Sequence, residues 1–115
     1  MMQQDSRNVV LLVGWLAADP RFTVTPKGTT VCNFRVKTIR AVTFNDKTEF
    51  KNSFHSAVAF GDVADRLRVG KEGKPIEIRG YMHTRKYPDK TTGEDRYITE
   101  VVAEELCSPL IPAGG

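Results

Sequence analysis

The sequence predicts an all-β domain: a small five-stranded Greek-key barrel with one short helix between its third and fourth strands and a long projecting hairpin. Three observations lead there. Residues 76–102 form two strand-like arms around a polar turn, the signature of a hairpin. Upstream, three further β-rich runs are separated by turn formers. Between those runs and the hairpin the apolar period changes once, to that of a single short helix.

Taken in order, residues 1–7 are polar and are expected to be disordered. Residues 8–16, NVVLLVGWL, carry apolar side chains at both parities, which suits a strand covered on both sides, by the fold or by a partner chain. Gly14 within it suggests a bend or bulge. RFTVT, 21–25, is a short strand or a continuation of the first, and PKGT from Pro26 is a tight turn. In TVCNFRVKT, 30–38, Cys32, Phe34 and Val36 face inward while Asn33, Arg35 and Lys37 face outward. Residues 39–52 are less clear, with Asn45, Asp46 and Lys47 marking a loop. In NSFHSAVAF, 52–60, Phe54, Ser56, Val58 and Phe60 share one face and His55, Ala57 and Ala59 the other. GDVADRLRVG, 61–70, reads as one helix with Asp62 as N-cap, Val63, Ala64 and Leu67 inward, and Gly70 past its end.

The long hairpin splits by parity. Ile76, Ile78, Gly80 and Met82 fall on one face; Arg79, Tyr81, His83, Arg85 and Tyr87 fall on the other, a basic and aromatic mixture. Twelve residues of strand span about 40 Å, so the tip is expected to project. The tail after Ala103 reads as leaving the fold. The domain is bounded at 8–105, with 106–115 a short flexible tail. Five strands with a helix between the third and fourth describe the OB-fold; a swollen five-stranded sandwich is the competing architecture.

At 115 residues the chain is one domain. The net charge of +3 and pI near 9.0 permit a polyanionic partner without demanding one. Cys32 and Cys107 lack metal-ligand spacing and read as free thiols in a reducing compartment. No run is long enough for a membrane helix, and the N-terminus lacks the layout of a secretion signal. Acids are scattered over turns and strand ends rather than clustered for Mg²⁺, and no P-loop or nucleotide fingerprint occurs. No enzyme, metal or cofactor is expected. Arg35, Lys37, Arg79, Arg85, Lys86 and Arg96 are the candidate phosphate contacts, although any one of them also suits a solvated face.

NVVLLVGWLAADPRF, TPKGT, FHSAVAFGDVADRL and IEIRGYMHTRKYPDKTTGEDRYITEVV together resemble the bacterial-type single-stranded DNA-binding (SSB) proteins, over roughly residues 8–103. The resemblance implies an OB-fold that assembles as a homotetramer, a dimer at the least, and binds single-stranded DNA without sequence preference in replication, recombination and repair. It also implies a cytoplasmic, nucleoid-associated location. An OB module that takes RNA or protein is the alternative. Phe54, Phe60 and Tyr87 align with the family's stacking aromatics, two of which are usually Trp; core packing is the other reading of Phe54 and Phe60. Val10, Leu11, Leu12, Val13, His55 and Glu77 are the expected interface residues.

The chain departs from the family pattern at several positions. Val42 stands where a further Trp is usual, with Phe44 the nearest aromatic, and the loop at 41–52 is short. Glu77 replaces an aromatic at a contact between dimers. Trp15, the only Trp, replaces a frequent Asn, and with Phe54, Phe60 and Tyr87 at the stacking positions weaker quenching of Trp emission by DNA is expected than in relatives that stack bases on Trp. Residues 1–115 include neither the family's long linker nor its acidic tip, so docking of repair or replication partners by that tip is not expected of this chain.

Overall fold

In the computed structural model, which describes residues 6–107, six strands and one helical turn form a single sheet closed on itself. The strands are β1 (Val10–Leu16), β2 (Arg21–Val24), β3 (Thr30–Phe44), β4 (Lys47–Phe60), β5 (Pro75–Pro88) and β6 (Asp95–Leu106). The helix α1 (Gly61–Arg66) continues into a 3₁₀ turn, Leu67–Val69, between β4 and β5. The sheet order is β1-β5-β6-β4-β3-β2, and β1 pairs a second time with β3. That second pairing, Trp15 with Lys37 and Leu16 with Val36, closes β1, β5, β6, β4 and β3 into a five-stranded barrel. Among the described residues β2 pairs only with the start of β3.

Alternation fills the barrel. Cys32, Phe34 and Val36 of β3 meet Ala57 and Ala59 of β4, Ile76 and Ile78 of β5 and Val101 and Ala103 of β6, all buried. Ala64 and Leu67, one turn apart, plug one end, with Val63 packed against them. No side chain caps the helix: its N-cap is Phe60, the last residue of β4, so the strand passes directly into the helix. Asp62, expected as the cap, lies in the first turn instead, where its charge favours the helix dipole.

Two hairpins leave the barrel. The projecting β5–β6 ribbon is exposed from His83 to Tyr97, apart from Asp89 at its tip. The second corrects the sequence reading. Residues 39–52 are not a loop; β3 and β4 continue as a paired ribbon through Phe44 and Lys47. They join at Asn45–Asp46, with φ of 51° and 61°. Two consecutive positive φ values are the mark of a type I′ turn, whose twist matches that of the strands.

Two glycines let backbones cross closely. A Cβ on Gly14 would sit 2.1 Å from the Lys37 carbonyl oxygen, and one on Gly80 would sit 1.8 Å from that of Val102. Gly14 is therefore a point of close approach inside a regularly paired strand. The irregularity in the sheet lies at Arg79/Gly80 against β6, where Glu104 is the extra residue.

The domain boundary also shifts. β6 runs to Leu106, which is buried in the core, and Cys107 N–H donates to the Glu77 carbonyl at 2.9 Å. Residues 104–106, expected to leave the fold, belong to it, because the bulge returns Leu106 to the inner face. Ser6 and Arg7 are exposed and outside any strand. The rest of the expected disordered start and flexible tail, 1–5 and 108–115, lies outside the described residues.

The β5–β6 tip is organised by Asp89. Its Oδ1 accepts from the Thr91 and Thr92 amides at 2.7 and 3.1 Å, and its Oδ2 from Arg96 Nε at 2.7 Å. The two amides, then Arg96, hold its carboxyl below the usual aspartate range.

Two predictions follow from this geometry. Gly80→Ala forces backbone apart at the β5–β6 bulge and lowers stability by about 1–3 kcal/mol, read as a drop in the denaturant midpoint. The second concerns pH. A depressed folded pKa contributes order above the unfolded value and loses it only as pH falls through the folded value. The Thr91 and Thr92 amide resonances therefore keep their native positions through about pH 3.9, where a free aspartate is half protonated, and move only below it. A midpoint at or above that value would contradict the tip geometry.

Candidate nucleic-acid interface

The outer face of the barrel carries one continuous surface across β3, β4, β6 and β5. Residues paired directly across strands share a face. On the β3–β4 ribbon, Val31 is opposite Phe60, Asn33 opposite Val58, Arg35 opposite Ser56 and Lys37 opposite Phe54. β6 joins the other edge of β4 in parallel, setting Val102 beside Val58. β5 then adds Tyr81 beside Val102, His83 beside Glu100, Arg85 beside Ile98 and Tyr87 beside Arg96. Two concavities open on this surface, of about 480 and 520 Å³, and Asn33, Arg85 and Glu100 line both.

The rings are presented rather than buried. Phe54 and Phe60 are 51 % and 50 % exposed and Tyr87 40 %. Their backbones lie in regular ladders, and core filling is done by the opposite face of the same strands. The core-packing reading of Phe54 and Phe60 is thus not what this chain adopts.

The candidate cations divide into three groups. Arg35 and Lys37 lie against aromatic rings: the Arg35 guanidinium is 5.3 Å from the Phe54 centroid, and Lys37 Nζ is 5.9 Å from that of Trp15. Neither has a carboxylate partner among the described residues. Arg85 and Arg96 are on the same face but already paired. Arg85 Nε donates to Glu100 Oε1 at 2.9 Å, and Arg96 to Asp89. Lys86 and Arg79 depart from expectation. Lys86 is opposite Tyr97 on the reverse face of the hairpin, 3.5 Å from Asp95, because alternation turns it away from Arg85 and Tyr87. Arg79 lies nearer β1, where it lines a separate concavity with Glu104 and Glu105.

Glu100 is the residue sequence reasoning missed. It is the one buried charged residue among those described, 8 % exposed. Its burial comes from the parallel contact of β6 with β4, which joins strands far apart in sequence. A signal was present: Glu100 falls on the same parity as Arg96 and Ile98. Tyr97, 70 % exposed on the reverse face, was also unassigned.

The expected interface residues also separate. Leu11 and Val13 are outward and 60 % exposed, joined by Val9. Val10 and Leu12 turn inward and pack against the core. Glu77 is half-buried opposite Val13. His55 is on the inner face of β4, its Nε2 2.9 Å from Thr38 Oγ1.

Among the described residues no group of three His, Cys, Asp or Glu side chains could hold a metal ion, and no helix is long and apolar enough to cross a membrane. Cys32 is buried, which pushes its thiol up to about 11.

This arrangement has close parallels. The chain is 33 % identical over 103 residues to "Single-stranded DNA-binding protein 1" of Chlorobaculum tepidum, covering 86 % of this chain and 62 % of that protein. It is 34 % identical over 116 residues to a Rhizobium meliloti protein named "Single-stranded DNA-binding protein", covering 96 % and 65 %. It thus spans a little under two-thirds of the length of these relatives. Among solved structures, a chain described as "Plasmodium falciparum SSB complex with ssDNA" superposes with a TM-score of 0.76 at 23 % identity, covering 89 % and 90 % of the two chains, which establishes the fold as the OB barrel. Residues 7–108 match the family described as "Single-strand binding protein family", and the chain belongs to that family.

Proposed function

We propose that this chain binds single-stranded DNA without regard to base sequence and covers it during replication, recombination and repair. The observation that carries the reading is the outer face of the barrel, where exposed rings alternate with cations on one surface. A single strand offers a phosphate chain and unpaired base faces, and a sequence-tolerant binder needs cations for the first and rings for the second. Phe54, Phe60 and Tyr87 serve as the platforms, each contributing about 1–3 kcal/mol per stacked base. Arg35 and Lys37 meet phosphate directly. Arg85 and Arg96 do so from positions set by Glu100 and Asp89. Lys86 and Arg79 act from the hairpin's reverse face and the β1 side, as secondary contacts on a strand that wraps around the barrel. The role is binding, not catalysis, and its setting is the cytoplasm and nucleoid.

The chain works as a homo-oligomer, at least a dimer and by family resemblance a tetramer. Two features of β1 support this. Val9, Leu11 and Val13 form an apolar row, each 60 % exposed. Among the described residues the β3-side edge of Val10–Gly14 is also unpaired, since β1 meets β3 only at Trp15 and Leu16. A bare strand edge beside an apolar row is a surface for a second chain. Glu77 borders the row and His55 stands at the barrel rim of β4.

Two measurements test these readings. In competition at moderate salt, oligo-dT binds clearly more tightly than a matched duplex, because stacked pairs withhold their base faces. Its affinity falls with salt by a log–log slope of about −0.7 per phosphate neutralised. Equal affinity for both ligands refutes the proposal, and a salt-independent affinity points to a protein ligand. Light scattering at micromolar concentration gives a mass of at least two chains, and Leu11→Glu lowers it towards one; a monomeric parent would refute the assembly.

A further inference from the structure

β1 carries a second feature on its outer face, at the seam where it meets β3. Trp15 is 40 % exposed and is paired directly across from Lys37, which is in turn paired directly across from Phe54. Three neighbouring strands thus present Trp, Lys and Phe in one row. Adjacent strands lie about 4.8 Å apart, so the two rings are carried on backbones about 10 Å apart. The ammonium of Lys37 stands 5.9 Å from the indole centroid, and Arg35 stands 5.3 Å from Phe54. The indole N–H has no hydrogen-bond partner among the described residues.

We propose that Trp15 is a base-stacking site of this chain, continuing the Phe54 platform across the barrel seam, with Lys37 meeting the phosphate between the two stacked bases. This inference rests on the single-strand reading above and extends it to a residue which that reading does not use. The chemistry favours a nucleobase over other occupants. A large, half-exposed indole flanked by an unpaired cation suits a ligand that is flat and anionic at its linkage. The apolar row Val9, Leu11 and Val13 is flanked instead by Glu77 and Arg79 and runs along the chain from Trp15, whereas Lys37 and Phe54 lie across the strands from it. Trp is also the aromatic with the largest stacking area. The site reverses the expectation drawn from sequence, that DNA quenches Trp emission less than in Trp-platform relatives.

Because Trp15 is the only Trp, the unmodified chain reports on it. Oligo-dT is titrated while Trp emission is followed, beside anisotropy of labelled oligo-dT and light scattering of the free protein. Emission is expected to fall strongly and to saturate together with the anisotropy. Trp15→Ala is expected to bind on the order of ten-fold more weakly at unchanged mass, and Trp15→Phe to keep most of the affinity. The proposal is overturned if emission is unchanged at saturation, or if Trp15→Ala binds within two-fold of the parent. It is also overturned if Trp15→Ala loses mass together with affinity, which would place the ring between chains. Failure of the parent to bind oligo-dT would instead refute the underlying reading, and the anisotropy alone reveals that.

Discussion

Closure of the sheet through β1 is the constraint on which the rest of the structure depends. This seven-residue strand pairs with β5 along most of its length and with β3 at its last two residues. Those two pairs turn an open sheet into a barrel with a sealed interior. They also place the first strand's outer face beside the third strand's. The closure demands that backbones pass closely, and Gly14 against the Lys37 carbonyl is where this is met. Gly80 plays the matching part on the opposite edge of β5, beside the bulge that keeps Leu106 in the core. Neither glycine serves a turn; each is present because any Cβ would collide with a neighbouring strand.

A barrel closed in this way has an inner face that packs and an outer face that is free, and alternation assigns every second residue to each. That explains how Phe54, Phe60 and Tyr87 are held in regular strands while their rings face solvent. Exposing large rings is unfavourable for an isolated domain, and the proposed base stacking is what would cover them. The charges beside them are arranged with restraint. Arg85 and Arg96 are each held by a carboxylate, so the proposed contact with phosphate would exchange one anion for another, from positions already set by Glu100 and Asp89. Arg35 and Lys37 rest on rings instead, and their charge is available in full. In each pair the arginine is half-exposed and the carboxylate largely covered; the consequence of the pairing is geometric.

Much of this was legible in the sequence because strand alternation is a local property. The inward set Cys32, Phe34 and Val36, the shared face of Phe54, Ser56, Val58 and Phe60, and the split faces of the projecting β5–β6 hairpin all follow from side chains two residues apart pointing the same way. Where local signals were weak, the reading slipped. The Asn45–Asp46 turn is less distinctive than an Asn-Gly pair, so the paired ribbon of β3 and β4 passed for a loop. Asp62 looked like a helix cap because the sequence does not show that β4 enters α1 without an intervening residue.

By itself, then, the sequence determined the class of fold, the order of its elements, the family and the residue types available for binding. Each is encoded in periodicity, turn chemistry or short motifs that act over a few residues. Only the tertiary structure decided which of those residues share a surface. It moved Arg79 towards β1 beside two glutamates, buried Glu100 against Arg85, and brought Trp15 next to Lys37 and Phe54. The physical reason is the same in each case: these relations depend on pairings between strands distant along the chain, and barrel closure creates those pairings only when the whole sheet has formed.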